Sequence, residues 1–107
     1  MPVKVTTAEF DEIVLGADMP VLVDFYADWC GPCVAMNPLL AQLAEEMADD
    51  VIVVKVNVDE ERELAQRYEV QGIPNMQLFT DGSSIETYVG SRSYDRLKTD
   101  VSARLAI

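Results

Sequence analysis

The stretch PVLVDFYADWCGPC, residues 20–33, is an apolar, β-branched and aromatic run broken by one aspartate and ending in two cysteines three positions apart. Residues 20–27 read as a strand covered on both faces, since a strand with one wet face would alternate. Beyond the cysteines, Val34, Met36, Leu39, Leu40, Leu43, Ala44 and Met47 recur at helical spacing. This predicts a long helix starting at or just before Cys33 and kinked at Pro38. The two thiols therefore stand where a strand turns into a helix.

Three chemistries suit such a pair. Zinc takes four ligands, and a chain with two cysteines and no histidine would have to borrow the rest from carboxylates or another chain. A structural staple across so short a loop constrains the unfolded chain by only about 2 kcal/mol, and a reducing compartment would open it. A redox switch uses every residue of the motif. At the first turn of a helix, unpaired N–H groups and the positive end of the dipole converge on Cys30, favouring its thiolate and making it the nucleophile. Gly31 leaves the sulfur accessible, and Pro32 fits a first turn that has no use for its missing N–H. Cys33, one turn farther in, is placed to resolve the mixed disulfide that Cys30 forms.

Asp24 interrupts the first strand, and Lys55 interrupts a second apolar one, VIVVKVNV at 51–58. An ionised carboxylate in apolar surroundings costs several kcal/mol unless paired or protonated. Each charge either serves structure, at an edge or in a pair, or serves the thiols. In the second reading Asp24, its pKa raised by desolvation, exchanges a proton with Cys33 through water, while Lys55 tunes it.

Working outward, Thr6 to Glu9 fits a capping box opening a helix from about Thr7 to Leu15, with Gly16 ending it. EERELAQRY, 60–68, predicts a short helix with its acids toward the N-terminal end. Strand, helix, strand implies a parallel pair joined by a crossover. MQLFT, 76–80, and SIETYVG, 84–90, flank Asp81-Gly82, a hairpin signal that makes these strands antiparallel. Tyr94 to Leu105 closes the chain as an amphipathic helix capped by Ser93. The expectation is an α/β fold, a mixed sheet with helices on both faces, in one domain spanning residues 1–107.

Nineteen acids against eight bases give a net charge of −11, which repels phosphate backbones and anionic lipid, so neither nucleic acid nor membrane is an expected partner. The acidity serves solubility, with adaptation to a saline interior as the other reading. No apolar run approaches the ~20 residues of a membrane helix, and MPVKVTTAEFDE lacks the pattern of a secretory leader, so the cytoplasm is the expected compartment. Against this acidity, residues 29–44 and 70–80 carry no charge at all. Much of both is core, yet Trp29, Gly31, Pro32 and the turn Gly72-Ile73-Pro74 are loop residues. Brought together, they would form an uncharged collar around Cys30 suited to docking polypeptide disulfides. Pro74, in a tight turn before a strand, is a candidate cis proline.

VLVDFYADWCGPC, the proline five positions after the second cysteine, VVKVNVDE, GIP, LFTDG and YVG before a last helix resemble the thioredoxin family, in family order along essentially the whole chain. The resemblance implies a thioredoxin fold, with a mixed five-stranded β-sheet flanked by four α-helices. It implies Cys30 as nucleophile, Cys33 as resolving thiol, Asp24 as buried acid/base, and a cis Pro74 whose neighbouring backbone pairs with an extended substrate. Trp29, Ile73, Gly90 and Ser91 look like the rest of that docking surface. Departures are Val34, where the family usually has a base, Asn75 in place of threonine, Tyr26 in place of a frequent tryptophan, and Asn37 before the kink proline. The expected activity is that of a monomeric protein disulfide reductase with no bound cofactor beyond the Cys30–Cys33 disulfide. Its expected partners are disulfide-containing clients and a thioredoxin reductase, either an NADPH-dependent flavoprotein or a ferredoxin-dependent iron-sulfur enzyme. The alternatives are an oxidase or isomerase, which Gly-Pro between the cysteines disfavours, and a non-catalytic binding subunit that keeps the fold.

Overall fold

The computed structural model describes residues 2–107; Met1, where the domain expected from the sequence begins, lies outside them. Five strands form one sheet in the order β1-β3-β2-β4-β5, where β1 is Val3–Lys4, β2 Val21–Tyr26, β3 Ile52–Asn57, β4 Asn75–Thr80 and β5 Ser83–Val89. β2 runs parallel to β3 and antiparallel to β4, while β1 joins the far side of β3 in parallel and β5 the far side of β4 in antiparallel. Every residue of β2 is buried, Asp24 included, as its largely apolar run requires of a central strand covered on both faces. The β4–β5 turn places Asp81 and Gly82 at φ 51° and 80°, the left-handed geometry a two-residue hairpin demands.

Alternation along the strands divides the core in two. Leu22, Val53, Met76 and Leu78 point to one face and pack against α2, Gly31–Glu46, and the last helix, Tyr94–Leu105. Val21, Val23, Phe25, Val54, Val56 and Phe79 point to the other, beneath α1, Thr7–Phe10, and α3, Arg62–Arg67. Numbering the last helix α4 completes the four helices on two faces. Asp24 and Lys55 fall in the alternation with Leu22 and Val53, on the α2 side.

The ends of the elements follow their local chemistry. Glu9 Oε1 accepts from the Thr6 N–H at 3.0 Å, the expected capping contact, and Ser93 Oγ accepts from Arg96 N–H at 3.2 Å to start α4. The first helix is not α-helical to Leu15. Its second half, Asp11–Leu15, is a π turn closed by Gly16 N–H to Asp11 O at 2.8 Å. Over nine residues the apolar spacing does not separate the two, since Phe10 and Val14 reach the core either way. α2 continues through Pro38, whose ring removes one backbone bond.

Candidate active site

The turn between β2 and α2 is built around Cys30. The Cys30 N–H donates to Ala27 O at 3.2 Å, closing the chain after the strand. Cys30 then holds the N-cap of α2 in extended conformation, with Gly31 and Pro32 opening the helix. The two cysteines are disulfide-bonded, with Cα atoms 5.2 Å apart. Cys30 Sγ accepts a hydrogen bond from the backbone N–H of Cys33 at 3.2 Å, so one orphan donor of the helix end is aimed at this sulfur.

Tyr26, Ala27, Val58 and Ile73 pack around the pair, leaving Cys30 5% exposed and Cys33 1%. Access is narrower than an open turn would suggest, because Ile73 leans on the disulfide and its carbonyl lies 3.9 Å from Cys30 Sγ. The gradient still runs in the expected direction, the N-terminal sulfur being the outer one. Gly31, Pro32 and Val34 are exposed beside it, Val34 by 52%, with no cation at that position.

The second loop comes to the site from β4. The Ile73–Pro74 bond is cis, and Pro74 is buried with its carbonyl accepting the Gly90 N–H at 2.8 Å. That bond ties Gly90, at φ 90°, and the exposed Ser91 to the Ile73-Pro74 turn. Only a residue without a side chain takes this φ at little cost. Trp29 is 72% exposed, yet its indole N–H donates to Asp59 Oδ2 at 2.8 Å. Asp59 is in turn placed by buried Asn57, whose Oδ1 accepts the N–H groups of Asp59 at 2.9 Å and Glu60 at 3.2 Å. A cleft of about 660 Å³ opens beside Val3 and Ile52, and one of about 410 Å³ lies between Tyr68 and Val89, reaching Gly72 and Asn75 on either side of the Ile73-Pro74 turn.

Behind the turn, Asp24 is fully buried and neither carboxylate oxygen has a hydrogen-bond partner. Burial pushes its pKa up from 3.8 to about 7, against the pull of Lys55. Lys55 stands opposite Asp24 in the β2–β3 register. Its Nζ nevertheless donates to Asn37 Oδ1 at 2.7 Å and sits 4.1 Å from the centre of the Tyr26 ring. The two charges thus act on each other through space, and a structural ion pair between them is not formed. Among the described residues no group of three or more His, Cys, Asp or Glu is arranged to hold a metal ion, and no helix is long and apolar enough to cross a membrane.

Sequence reasoning missed three residues here. Asn57 and Asp59 follow the second apolar strand, and their signal was a buried polar residue at a strand end with an acid two positions later. Asn37 stands out in the sequence only as a departure from the family pattern.

Comparison with known proteins supplies the family. The thioredoxin family model matches residues 1–103. The chain belongs to the thioredoxin family. A thioredoxin from Pseudomonas aeruginosa is 42% identical over 103 residues, covering 96% of this chain and 95% of the relative. Thioredoxin 1 of Synechococcus elongatus is 45% identical over 87 residues, 81% of each chain. A thioredoxin of Mycobacterium bovis is 42% identical over 100 residues, 94% of this chain and 86% of its own. Thioredoxins work through an intrinsic redox-active disulfide, and the Cys30–Cys33 pair here is disulfide-bonded. The chain is a protein disulfide reductase, a thiol–disulfide oxidoreductase acting on protein disulfides. The oxidase, isomerase and binding-subunit alternatives are not favoured.

Proposed function

We propose that the reduced chain, acting as one domain of residues 1–107, delivers two electrons to a client disulfide through Cys30 and is recharged by a reductase. The Cys30 thiolate attacks one client sulfur, forming a mixed disulfide as the client's other sulfur leaves as a thiolate. Asp24, ionised at that point, takes the Cys33 proton through water. The Cys33 thiolate then attacks Cys30 Sγ, the Cys30–Cys33 bond forms, and the second client thiolate leaves. Two protein thiols are oxidised and one client disulfide is reduced; the Asp24 proton passes to solvent. The observation that carries this reading is the Cys33 N–H aimed at Cys30 Sγ at 3.2 Å, a donor that serves a thiolate as well as a disulfide sulfur.

Trp29, Gly31, Pro32, Ile73, Pro74, Gly90 and Ser91 form the docking surface in this reading. Their lack of charge and the exposure of most of them suit polypeptide clients of varied sequence, and the backbone beside Pro74 is offered to an extended client strand. Lys55 tunes Asp24 from across the strand pair. The acidic surface, with a net charge of −11, argues for proteins rather than nucleic acid or membrane as partners. We place the reaction in the cytoplasm, in a monomer that binds no further cofactor, with electrons from an NADPH-dependent flavoprotein reductase or a ferredoxin-dependent one.

A coupled assay with a disulfide-bonded protein substrate and each type of reductase tests activity and electron source together. Turnover with one of them, lost in Cys30→Ser and arrested as a mixed disulfide in Cys33→Ser, is expected. Full activity in Cys30→Ser, or a mixed disulfide trapped on Cys33 instead of Cys30, refutes the assignment.

A further inference from the structure

Asn37 lies on α2 four residues beyond Cys33, outside the turn and the docking loops, and no step above uses it. Its side chain nonetheless accepts the one hydrogen bond described for the Lys55 ammonium, at 2.7 Å. That contact is informative because of where Lys55 starts. Register places Lys55 directly across from Asp24, and paired residues of neighbouring strands lie roughly 5 Å apart with side chains on the same face. A lysine so placed has the reach to meet a carboxylate, and a fully buried carboxylate without a partner has every reason to be met. Both Asp24 oxygens are unpartnered all the same.

We propose that Asn37 is a positioning residue, whose side-chain carbonyl holds the Lys55 ammonium at the solvent side of the α2–β3 seam and so keeps the Asp24 carboxyl group without a counter-ion. The Tyr26 ring, 4.1 Å below the ammonium, forms the floor of this perch. A cleft of about 140 Å³ lined by Pro2, Asn37, Ala41 and Lys55 opens beside it, giving the charge access to water. From β1, Lys4 is the register neighbour of Lys55 on the side away from Asp24. Its Nζ is engaged by Glu60 Oε1 at 3.0 Å, and no contact joins Glu60 to Lys55 among the described residues.

The groups facing Asp24 are few. Tyr26 follows on the same side of its own strand, Lys55 and Met76 are its register partners on β3 and β4 with Tyr88 beyond on β5, and α2, which carries Cys33 and Asn37, packs over that face. With the disulfide closed, Lys55 is the one of these that carries charge at neutral pH. Where the ammonium rests therefore decides how strongly the carboxylate form is favoured. Consistent with a distant cation, burial outweighs the pull of Lys55 on Asp24. The proposal rests on the reading that Asp24 handles the Cys33 proton, and it supplies what keeps that group protonatable near neutral pH.

The test follows the Asp24 carboxyl carbon by NMR in the oxidised protein, across pH, in the unsubstituted chain, Asn37→Ala, Lys55→Met and the double variant. Asn37 is exposed, so its truncation leaves the core intact. Freed from its acceptor, the ammonium should move toward Asp24, lowering the titration midpoint by about 0.5–1 unit. In the Lys55→Met background the same truncation should leave the midpoint where it was. An unmoved or raised midpoint in Asn37→Ala overturns the proposal, as does an equal shift in the absence of Lys55. The pH profile of client reduction, run on the same variants, separates the two readings. A midpoint that falls while the rate profile stays fixed supports the placement of Lys55 by Asn37 and removes Asp24 from the proton path.

Discussion

Replacing Asp24 with asparagine removes a charge that the fold holds at a cost, and the cost depends on pH in a way that can be worked out. The folded-state pKa is about 7 against an ordinary 3.8, so the folded chain binds this proton more tightly than the unfolded chain does. The stability contributed by the protonated carboxyl is complete below pH 3.8, declines as pH rises from there to about 7, and is gone above. At roughly 1.36 kcal/mol per unit, the penalty for ionising Asp24 is about 2 kcal/mol at pH 5 and about 4 kcal/mol at pH 8. Asp24 is fully buried, so screening by salt does not discount these figures. The amide that Asp24→Asn introduces has the same shape as the carboxyl and no titration. Relative to the unsubstituted chain, the variant should therefore gain roughly 2 kcal/mol more at pH 8 than at pH 5, whatever its absolute stability. Urea unfolding of both oxidised proteins at the two pH values measures the difference, and groups common to both chains cancel in it. A stability gap that is the same at both pH values, or larger at pH 5, refutes the assignment of a raised Asp24 pKa to burial.

The remaining expectations concern the outer face of the site. Val34→Lys puts an ammonium on the exposed turn after Cys33 and should lower the pKa of the reduced Cys30 thiol by a few tenths of a unit, read from the pH dependence of alkylation; an unchanged curve means that the helix terminus alone sets it. Asp59→Ala removes the acceptor of the Trp29 indole, and since Trp29 is the only tryptophan, its fluorescence anisotropy should drop as the ring is released, with KM for protein clients rising a few-fold. Unaltered anisotropy would show that the neighbouring turn, and not Asp59, orients the ring.

The buried elements were the legible ones. β2 and β3 announce themselves as apolar runs each broken by a single charge, because a strand covered on both faces has no wet side to encode, and the hairpin is written in Asp81-Gly82, where left-handed φ values select the residues. β1 was not legible from pattern. Two residues, Val3 and Lys4, both exposed, carry no alternation to read, and only the family resemblance implied a fifth strand. The π turn at Asp11–Leu15 escaped for a related reason, since its distinguishing feature is a backbone bond that no side chain records. In the site, the cysteines, Asp24 and Lys55 stood out as residues at odds with their surroundings. The Trp29–Asp59 and Lys55–Asn37 contacts did not, because each joins elements 30 and 18 positions apart through side chains ordinary for exposed loops and helices.

The electrostatics of the site follow from what this chain withholds from it. With a net charge of −11, the surface as a whole disfavours a thiolate, and Val34 denies Cys30 the adjacent cation. Lys55, held by Asn37, is turned away from the interior. What remains for Cys30 is the N-terminus of α2, a donor fixed at 3.2 Å that acts at short range, where the diffuse field of the surface acids is already screened by salt. Nucleophilicity then depends on local backbone geometry. In the proposed mechanism, proton release from Cys33 depends on a different quantity, the desolvation of Asp24. Because one is set by hydrogen bonds and the other by burial, the proposed mechanism lets the two thiols ionise in sequence, Cys30 first and Cys33 only when Asp24 accepts its proton.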